Sequence, residues 1–311
     1  MKKRWIVAIL CMAVLSAVSV KLGLAQIKDL LMHSPIAGLY IHYVRDGKDF
    51  DSDHVITHLD NGMPIIVNKR DRCVCWFVRL TGHWDSNETR VLNKIVQKGF
   101  NVIEVGANFG VHTLRMAELV GEKGKIFAFE ANPHVSKYLK ESVALNQLDG
   151  IITVFDKAAG DTPGKAFLDF GIKNIGGGHI VSSASNGSVA TEIVRLDDAV
   201  QESHIDLLKI DAEGFELKIL QGATTIIDQN IDHIILMLEF SQSLLKNQGT
   251  DPKALLQFLK DKGFSLWRVG KKNLNESALV SISIEELLKI SDADILASRR
   301  DLSSAFSSPS N

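Results

Sequence analysis

Cysteine and clustered positive charge are both scarce in this sequence. The 311 residues include three cysteines, too few for a disulfide framework. Cys73 and Cys75 are one residue apart, and no activating neighbour is evident, so they indicate packed side chains rather than a bridge or nucleophiles. Lysine and arginine number 35 against 37 acidic residues, for a net charge of −2, with no basic cluster beyond the N-terminus. A nucleic-acid partner is therefore not predicted.

Two phosphate-binding motifs are missing from the stretch around which the chain is organised, residues 101–114. This stretch begins with a β-branched run typical of a strand, turns at Gly106 and Gly110, and continues with apolar residues at helical spacing. Such a strand, turn and helix N-terminus bind nucleotide-like cofactors. The turn is not Gly-x-Gly-x-x-Gly, which argues against a nicotinamide-dependent oxidoreductase, and no Lys-Ser/Thr follows it, which excludes a P-loop. It carries Glu104 and no cation, which favours a neutral or cationic ligand.

A second acidic residue, Glu130, ends the next predicted strand, Lys125–Glu130. It lies 24 residues after Gly106, near the spacing of about 20 residues at which a carboxylate binds ribose hydroxyls in dinucleotide folds. A glycine turn and a ribose carboxylate without phosphate-binding groups predict S-adenosylmethionine as the cofactor. The alternative is a tight βα turn that binds no ligand.

Several motifs resemble those of the FkbM-type S-adenosylmethionine-dependent methyltransferase family. They are residues 104–114 (EVGANFGVHTL), 129–133 (FEANP), 207–216 (LLKIDAEGFE), 220–223 (LQGA) and 238–240 (LEF). The resemblance covers about residues 84–298. It implies an α/β fold, the class I methyltransferase Rossmann-like, doubly wound, seven-stranded sheet, whose last strand is antiparallel.

The resemblance and the positions after the predicted strands also give the candidate cofactor-binding residues. They are Glu104, Gly106, Asn108, Gly110, Glu130, Asn132 and Asp156. Asp156, and alternatively Asp161, is a candidate partner for the adenine amino group. Asp211 and Glu239 are positions where a divalent cation could bind, but no ligand cluster demands a metal, so none is predicted.

The candidate catalytic residues are Asp211, Glu213 and His179. Methyl transfer from a sulfonium is an in-line displacement, and a hydroxyl acceptor benefits from a general base. Ligands of open α/β sheets bind at the carboxyl ends of strands, where Asp211 and Glu213 follow the predicted strand Ile205–Ile210. Asp211 is the candidate base and Glu213 shapes the turn or binds substrate; alternatively, this acidic turn caps the next helix. His179 is a further candidate base, in a Gly-, Ser- and Asn-rich insertion (162–190) expected to form a hairpin and loop over the site.

Four segments are predicted along the chain. They are a signal anchor or signal peptide (1–25), a linker and β-hairpin cap (26–83), the methyltransferase domain (84–300) and a polar tail (301–311). Within the cap, Asp60-Asn-Gly-Met63 predicts a hairpin turn, and Cys73–Leu80 is expected to be a further strand.

The N-terminus combines basic residues with an apolar run. Residues 2–4 are Lys-Lys-Arg, and the uncharged run Trp5–Val20 follows, near the short limit of about 17–25 residues for a spanning helix. A single-pass N-terminal hydrophobic helix that anchors the chain in a membrane is therefore expected. The alternative is a cleaved signal peptide and a secreted or periplasmic protein. The basic residues would place the rest of the chain outside, although S-adenosylmethionine is made in the cytosol.

Taken together, these features predict an S-adenosylmethionine-dependent methyltransferase that O-methylates a hydroxyl of a sugar, glycan or small metabolite. The expected partners are this acceptor and, through the N-terminal segment, the membrane. The alternative is a membrane-anchored, non-catalytic protein that retains the methyltransferase fold.

Overall fold

The computed structural model of the chain describes residues 38, 40, 41, 45–171, 174–181, 183–271 and 276–306. The expected N-terminal hydrophobic helix, residues 1–25, lies outside the described residues. Within those described ranges, no helix has the length and apolar character needed to cross a membrane. The chain divides into two compact units, residues 1–84 with 172–174, and residues 85–171 with 175–311.

The smaller unit contains the predicted hairpin. Strands β1 (His54–His58) and β2 (Pro64–Asn68) pair antiparallel, with His58 opposite Pro64. The turn between them is Asp60–Met63, so the hairpin prediction is confirmed.

The prediction of a strand at Cys73–Leu80 is wrong, because this segment forms helix α1 (Val74–Thr81). The Asp71 carboxylate accepts the backbone N–H groups of Cys73 and Cys75, both at 3.0 Å, and so starts the helix. Gly82, with φ +85°, ends it in the left-handed conformation that favours glycine. These terminal interactions outweigh the strand preference of the β-branched and aromatic residues between them.

The larger unit contains twelve strands among the described residues. In chain order they are β3 (Asn101–Val105), β4 (Lys125–Phe129), β5 (Ile152–Phe155), β6 (Ala158–Ala159), β7 (Gly164–Gly171), β8 (Asn174–Val181), β9 (Val189–Val194), β10 (Leu207–Ile210), β11 (Ile235–Ser241), β12 (Ser265–Val269), β13 (Leu279–Ser281) and β14 (Asp292–Ser298).

The helices of this unit separate the strands. They are α2 (Ser86–Ile95), α3 (Val111–Val120), α4 (Pro133–Leu145), α5 (Leu196–Ala199), α6 (Glu216–Gly222), α7 (Thr224–Gln229), α8 (Gln242–Asn247), α9 (Pro252–Asp261) and α10 (Ile284–Leu287), with a 3₁₀ turn at Ser303–Phe306.

The main sheet has the order β13-β12-β14-β11-β10-β3-β4-β5. Strands β11, β10, β3, β4 and β5 are parallel, whereas β14 is antiparallel to β11 and β12. The expected antiparallel last strand is therefore present. The expected seven strands are wrong by one, because the three-residue strand β13 adds antiparallel to β12 at the edge. A run this short has no pattern from which a strand could be predicted.

The insertion at residues 162–190 contributes most of a second sheet of order β6-β9-β7-β8. Strands β7 and β9 pair antiparallel, with Ala166 opposite Thr191. The main sheet reverses its strand order between β3 and β10, so the carboxyl ends of these two strands form the crevice where ligands of such sheets bind.

Candidate functional site

The glycine turn between β3 and α3 is held closely against its neighbours. Gly106 and Gly110 have φ values of +83° and +94°, a conformation that favours glycine. A Cβ at Gly106 would overlap the backbone oxygen of Asp211, and one at Gly110 would overlap the side chain of Leu139. The N–H groups of Gly106 and Ala107 both donate to the carbonyl of Phe129 at 3.0 Å. The backbone conformation and the close neighbours of the turn therefore require glycine at both positions.

Glu130 faces this turn, as the sequence spacing predicts. One carboxylate oxygen accepts the N–H of Asn108 at 2.7 Å, and the other accepts the N–H of Asn132 at 2.8 Å. Burial raises the pKa of Glu130 to about 7. The two N–H donors favour the charged form and so partly oppose this shift. Each oxygen retains a second lone pair, so the carboxylate can accept a ribose hydroxyl without losing its hold on the turn.

The insertion lies against the same turn. Strand β8 carries Gly176, where a Cβ would overlap the side-chain amide of Asn108. Asn108 itself has a positive φ of +52°, and its side-chain oxygen accepts the N–H of Phe109 at 2.8 Å. Asn132 caps α4 by accepting the N–H of His134 at 3.0 Å, and its amide reaches the carbonyl of Ile175. Both asparagines thus lie against β8 of the insertion.

Asp156 follows β5 at the same edge of the sheet. Its half-exposed carboxylate lies 3.1 Å from Lys140 Nζ. Burial raises the pKa of Asp156, but Lys140 lowers it by more, so the pKa lies below its usual value. Its assignment to adenine remains a prediction.

A buried ion cluster lies beneath the crevice, and its central residue, Lys209, is not among the residues predicted from the sequence. This side chain is on β10, where Lys209 is opposite Glu104 of β3, and the residue is 1% exposed. Its Nζ lies 3.1 Å from Glu88, 4.0 Å from Glu104 and 4.0 Å from Asp211. A lone lysine within the apolar run Leu-Leu-Lys-Ile is the signal that could have revealed it, because a buried cation requires carboxylate partners.

Two further contacts complete this cluster. His112 Nε2 lies 2.8 Å from the second oxygen of Glu88, and the Thr113 hydroxyl donates to Glu104 at 2.5 Å. Glu104, which is 1% exposed, therefore lies in the interior, where Thr113 connects it to α3.

Electrostatics keep the central pair of this cluster ionised. Burial opposes both charges, but Lys209 and His112 hold the pKa of Glu88 below its usual value. Burial likewise opposes the charge on Lys209, yet Glu88, Asp211 and Glu104 raise its pKa. Burial raises the pKa of Glu104 against the same lysine.

The acidic turn after β10 places Asp211 at the crevice. Its side chain is 45% exposed. Partial burial raises the pKa of Asp211, and Lys209 opposes that shift. Glu216 closes the turn by accepting the N–H groups of Ala212 at 3.2 Å and Gly214 at 3.1 Å. Glu216 thereby fixes the turn that carries Asp211 and Glu213, and the N-cap residue of α6, Phe215, makes no side-chain hydrogen bond.

A cavity of about 1080 Å³ opens beside this turn, comparable to the largest ligand pockets of roughly 300–1,000 Å³. Glu213 and His179 both line it, so the structure brings together two of the three candidate catalytic residues. Burial and Asp211 raise the pKa of Glu213, and His179 opposes them. Lys165 and Lys218 add positive charge to the same wall.

Glu239, the other position considered for a divalent cation, lies near the carboxyl end of β11. Burial, with Asp211 and Glu213 nearby, raises its pKa to about 9. It is opposite Asp294 of β14. Burial and the charge of Glu88 raise the pKa of Asp294 well above its usual value. Burial therefore favours the uncharged form of both side chains.

The mixed sheet with its antiparallel last strand, and the glycine turn facing an acidic residue on the next strand, define a class I methyltransferase fold. The profile of the methyltransferase FkbM domain family matches residues 104–266, more than half of the chain. The chain therefore belongs to the FkbM methyltransferase family, and its cofactor is S-adenosylmethionine.

Two curated relatives are methyltransferases by name. Hexuronic acid methyltransferase AglP of Haloferax volcanii is 25% identical over 180 residues, which cover 57% of this chain and 68% of AglP. Methyltransferase sdnD of Sordaria araneosa is 28% identical over 200 residues, covering 54% of this chain and 74% of sdnD. Among solved structures, methyltransferase FkbM from Methylobacillus flagellatus has a TM-score of 0.43 and 14% identity, over 71% of this chain and 52% of that chain.

Proposed function

We propose that this methyltransferase transfers the cofactor's methyl group to a hydroxyl of a sugar or glycan. The observation that carries the proposal is the adjacency of two sites. Gly106 of the glycine turn packs directly on the Asp211 backbone, and two residues later Glu213 enters the wall of the cavity of about 1080 Å³. A cofactor on the turn and an acceptor in the cavity would meet at Asp211.

The roles follow from this arrangement. The glycine turn admits adenosine, and Glu130 accepts its ribose hydroxyls. S-adenosylmethionine, when bound, supplies the methyl group as a sulfonium. Asp211 accepts the proton of the acceptor hydroxyl, since it is the half-exposed carboxylate at the junction, and Lys209 at 4.0 Å stabilises its ionised form. Glu213 and His179 orient the acceptor.

The two lysines in the lining of the cavity favour an acidic sugar. Lys165 and Lys218 both line it, and Lys218 Nζ also lies 4.3 Å from the centre of the Phe215 ring. Two ammonium groups suit a sugar ring that carries a carboxylate, because each can donate a charge-assisted hydrogen bond to it. The relative from Haloferax volcanii is named for a hexuronic acid substrate, which agrees with this choice.

The membrane anchor at residues 1–25 belongs to the same proposal. It would hold the enzyme at the surface where lipid-linked glycans occur. The two relatives do not support the alternative of a non-catalytic anchored protein, because both are named as methyltransferases.

The test is methyl transfer to a matched pair of acceptors, p-nitrophenyl glucuronide and p-nitrophenyl glucoside, measured as formation of S-adenosylhomocysteine. We expect turnover of the glucuronide, and a fall of about 10²–10⁴-fold in Asp211→Asn, the range for losing a general base. Binding of S-adenosylhomocysteine should persist in that variant. The exposed Asp149 provides the control variant Asp149→Asn, which should match the wild type. An unchanged rate in Asp211→Asn would remove Asp211 from the mechanism.

A further inference from the structure

A histidine pair with a carboxylate lies at the opposite edge of the main sheet from the crevice. His204 and Asp206 precede β10, and His233 precedes β11, so all three are at the amino ends of parallel strands. One ligand atom from each lies within 4.8 Å of the other two. We propose that His204, Asp206 and His233 bind a divalent transition-metal ion of the Zn²⁺ type. Nothing in the methyl-transfer reaction uses these residues.

The carboxylate is oriented toward the histidines before any ion binds. One oxygen of Asp206 accepts the backbone N–H of Asn101 at 2.9 Å, which leaves the other oxygen 3.2 Å from His204 Nε2. The amide of Asn101 in turn donates to the carbonyl of His204 at 3.0 Å. This fixed carboxylate resembles the outer hydrogen bonding that orients ligands in metal sites.

The two segments that carry the histidines are joined by Asn230. Its side chain accepts the N–H of Ile205 at 3.1 Å and donates to the carbonyl of Ser203 at 2.9 Å. Its own carbonyl accepts the N–H of His233 at 3.0 Å. The separation of the two backbone segments that carry the imidazoles is therefore set by the contacts of Asn230.

The imidazoles themselves favour an ion between them and Asp206. Their rings stack at 4.4 Å with 15° between planes, a geometry that two protonated rings would disfavour. His233 Nε2 is buried and has no hydrogen-bond partner among the described residues. A neutral imidazole with an unused nitrogen is the form that binds metal.

The ligand set selects the kind of metal. Two nitrogens and one carboxylate suit Zn²⁺ and its neighbours rather than Mg²⁺ or Ca²⁺, which take oxygen ligands. A tetrahedral ion with bonds of about 2.0–2.1 Å holds its ligand atoms roughly 3.4 Å apart. The exposed ring of His204 can rotate to close the remaining distance, and solvent would fill the fourth position.

The experiment is a calorimetric titration of Zn²⁺ into the untagged, chelator-treated full chain. We expect one ion per chain, with affinity lowered about 10-fold or more in His204→Ala and in His233→Ala. The matched control is His134→Ala, another exposed histidine, which should retain wild-type affinity. Circular dichroism tests whether each variant is folded. If His233→Ala is unfolded, the Zn²⁺ affinity of His204→Ala alone decides the test. Failure of the wild type to bind Zn²⁺, or equal affinity in His204→Ala, would overturn the proposal.

Discussion

Replacing Lys209 by methionine tests the electrostatic support of the crevice. Methionine has a similar length but no charge, so the variant leaves Glu88, which is 3.1 Å from Nζ in the wild type, as a buried carboxylate without its main partner. Breaking a buried ion pair by removing one partner costs about 3–5 kcal/mol. His112 remains 2.8 Å from the other oxygen of Glu88, so we expect the lower end, about 3 kcal/mol of the free energy of unfolding.

The pH dependence of this loss has a defined sign. Lys209 holds the pKa of Glu88 below its unfolded value, so the stabilisation is present above that unfolded value and disappears as the pH falls through the folded one. The pKa of Lys209 is raised, so its contribution is complete at neutral pH and is lost only at strongly alkaline pH. The deficit of Lys209→Met should therefore be largest near neutrality and shrink in acid, where the unpaired carboxylate is protonated.

Urea unfolding of Lys209→Met, Glu88→Gln and the double variant at pH 7 and pH 5 measures these free energies. The double variant should be more stable than Lys209→Met, because no buried charge is left without a partner. A loss under about 1 kcal/mol in Lys209→Met, or fully additive effects in the double variant, would refute the reasoning.

Four other predictions concern the cofactor and the insertion. Gly106→Ala should lose the thermal stabilisation given by S-adenosylhomocysteine, whereas Gly99→Ala, which has a similar φ of +85° but open space around it, should keep it. Glu130→Ala should weaken S-adenosylhomocysteine binding by about 1–3 kcal/mol. Since the pKa of Glu130 is raised to about 7, calorimetric affinity in the wild type should increase between pH 6 and pH 8, and Glu130→Gln should abolish this dependence. Gly176→Ala should displace Asn108 and lower affinity for the cofactor while the free energy of unfolding stays within about 1 kcal/mol.

The sequence predicted the features that local chemistry determines. The glycine turn, Glu130 facing it and the hairpin at Asp60–Met63 each follow from residue types at fixed spacing, and each is present. The strand at Cys73–Leu80 was wrong because side-chain composition favoured a strand, while Asp71 and Gly82 together fix a helix.

What the sequence could not provide is the identity of tertiary partners. Glu88 and Glu104 are far from Lys209 and Asp211 along the chain, and only the pairing of β3 with β10 and the packing beneath them bring these charges together. The contact between Gly176 and Asn108 likewise depends on how the second sheet is placed, which no spacing within the insertion reveals.

A crystal structure of the full chain with S-adenosylhomocysteine tests the central claim most directly. The ribose hydroxyls should lie about 2.5–3.0 Å from the carboxylate of Glu130, with the adenosine against Gly106 and the sulfur directed to Asp211. A nucleoside bound elsewhere, with Glu130 contacting only the N–H groups of Asn108 and Asn132, would contradict the account.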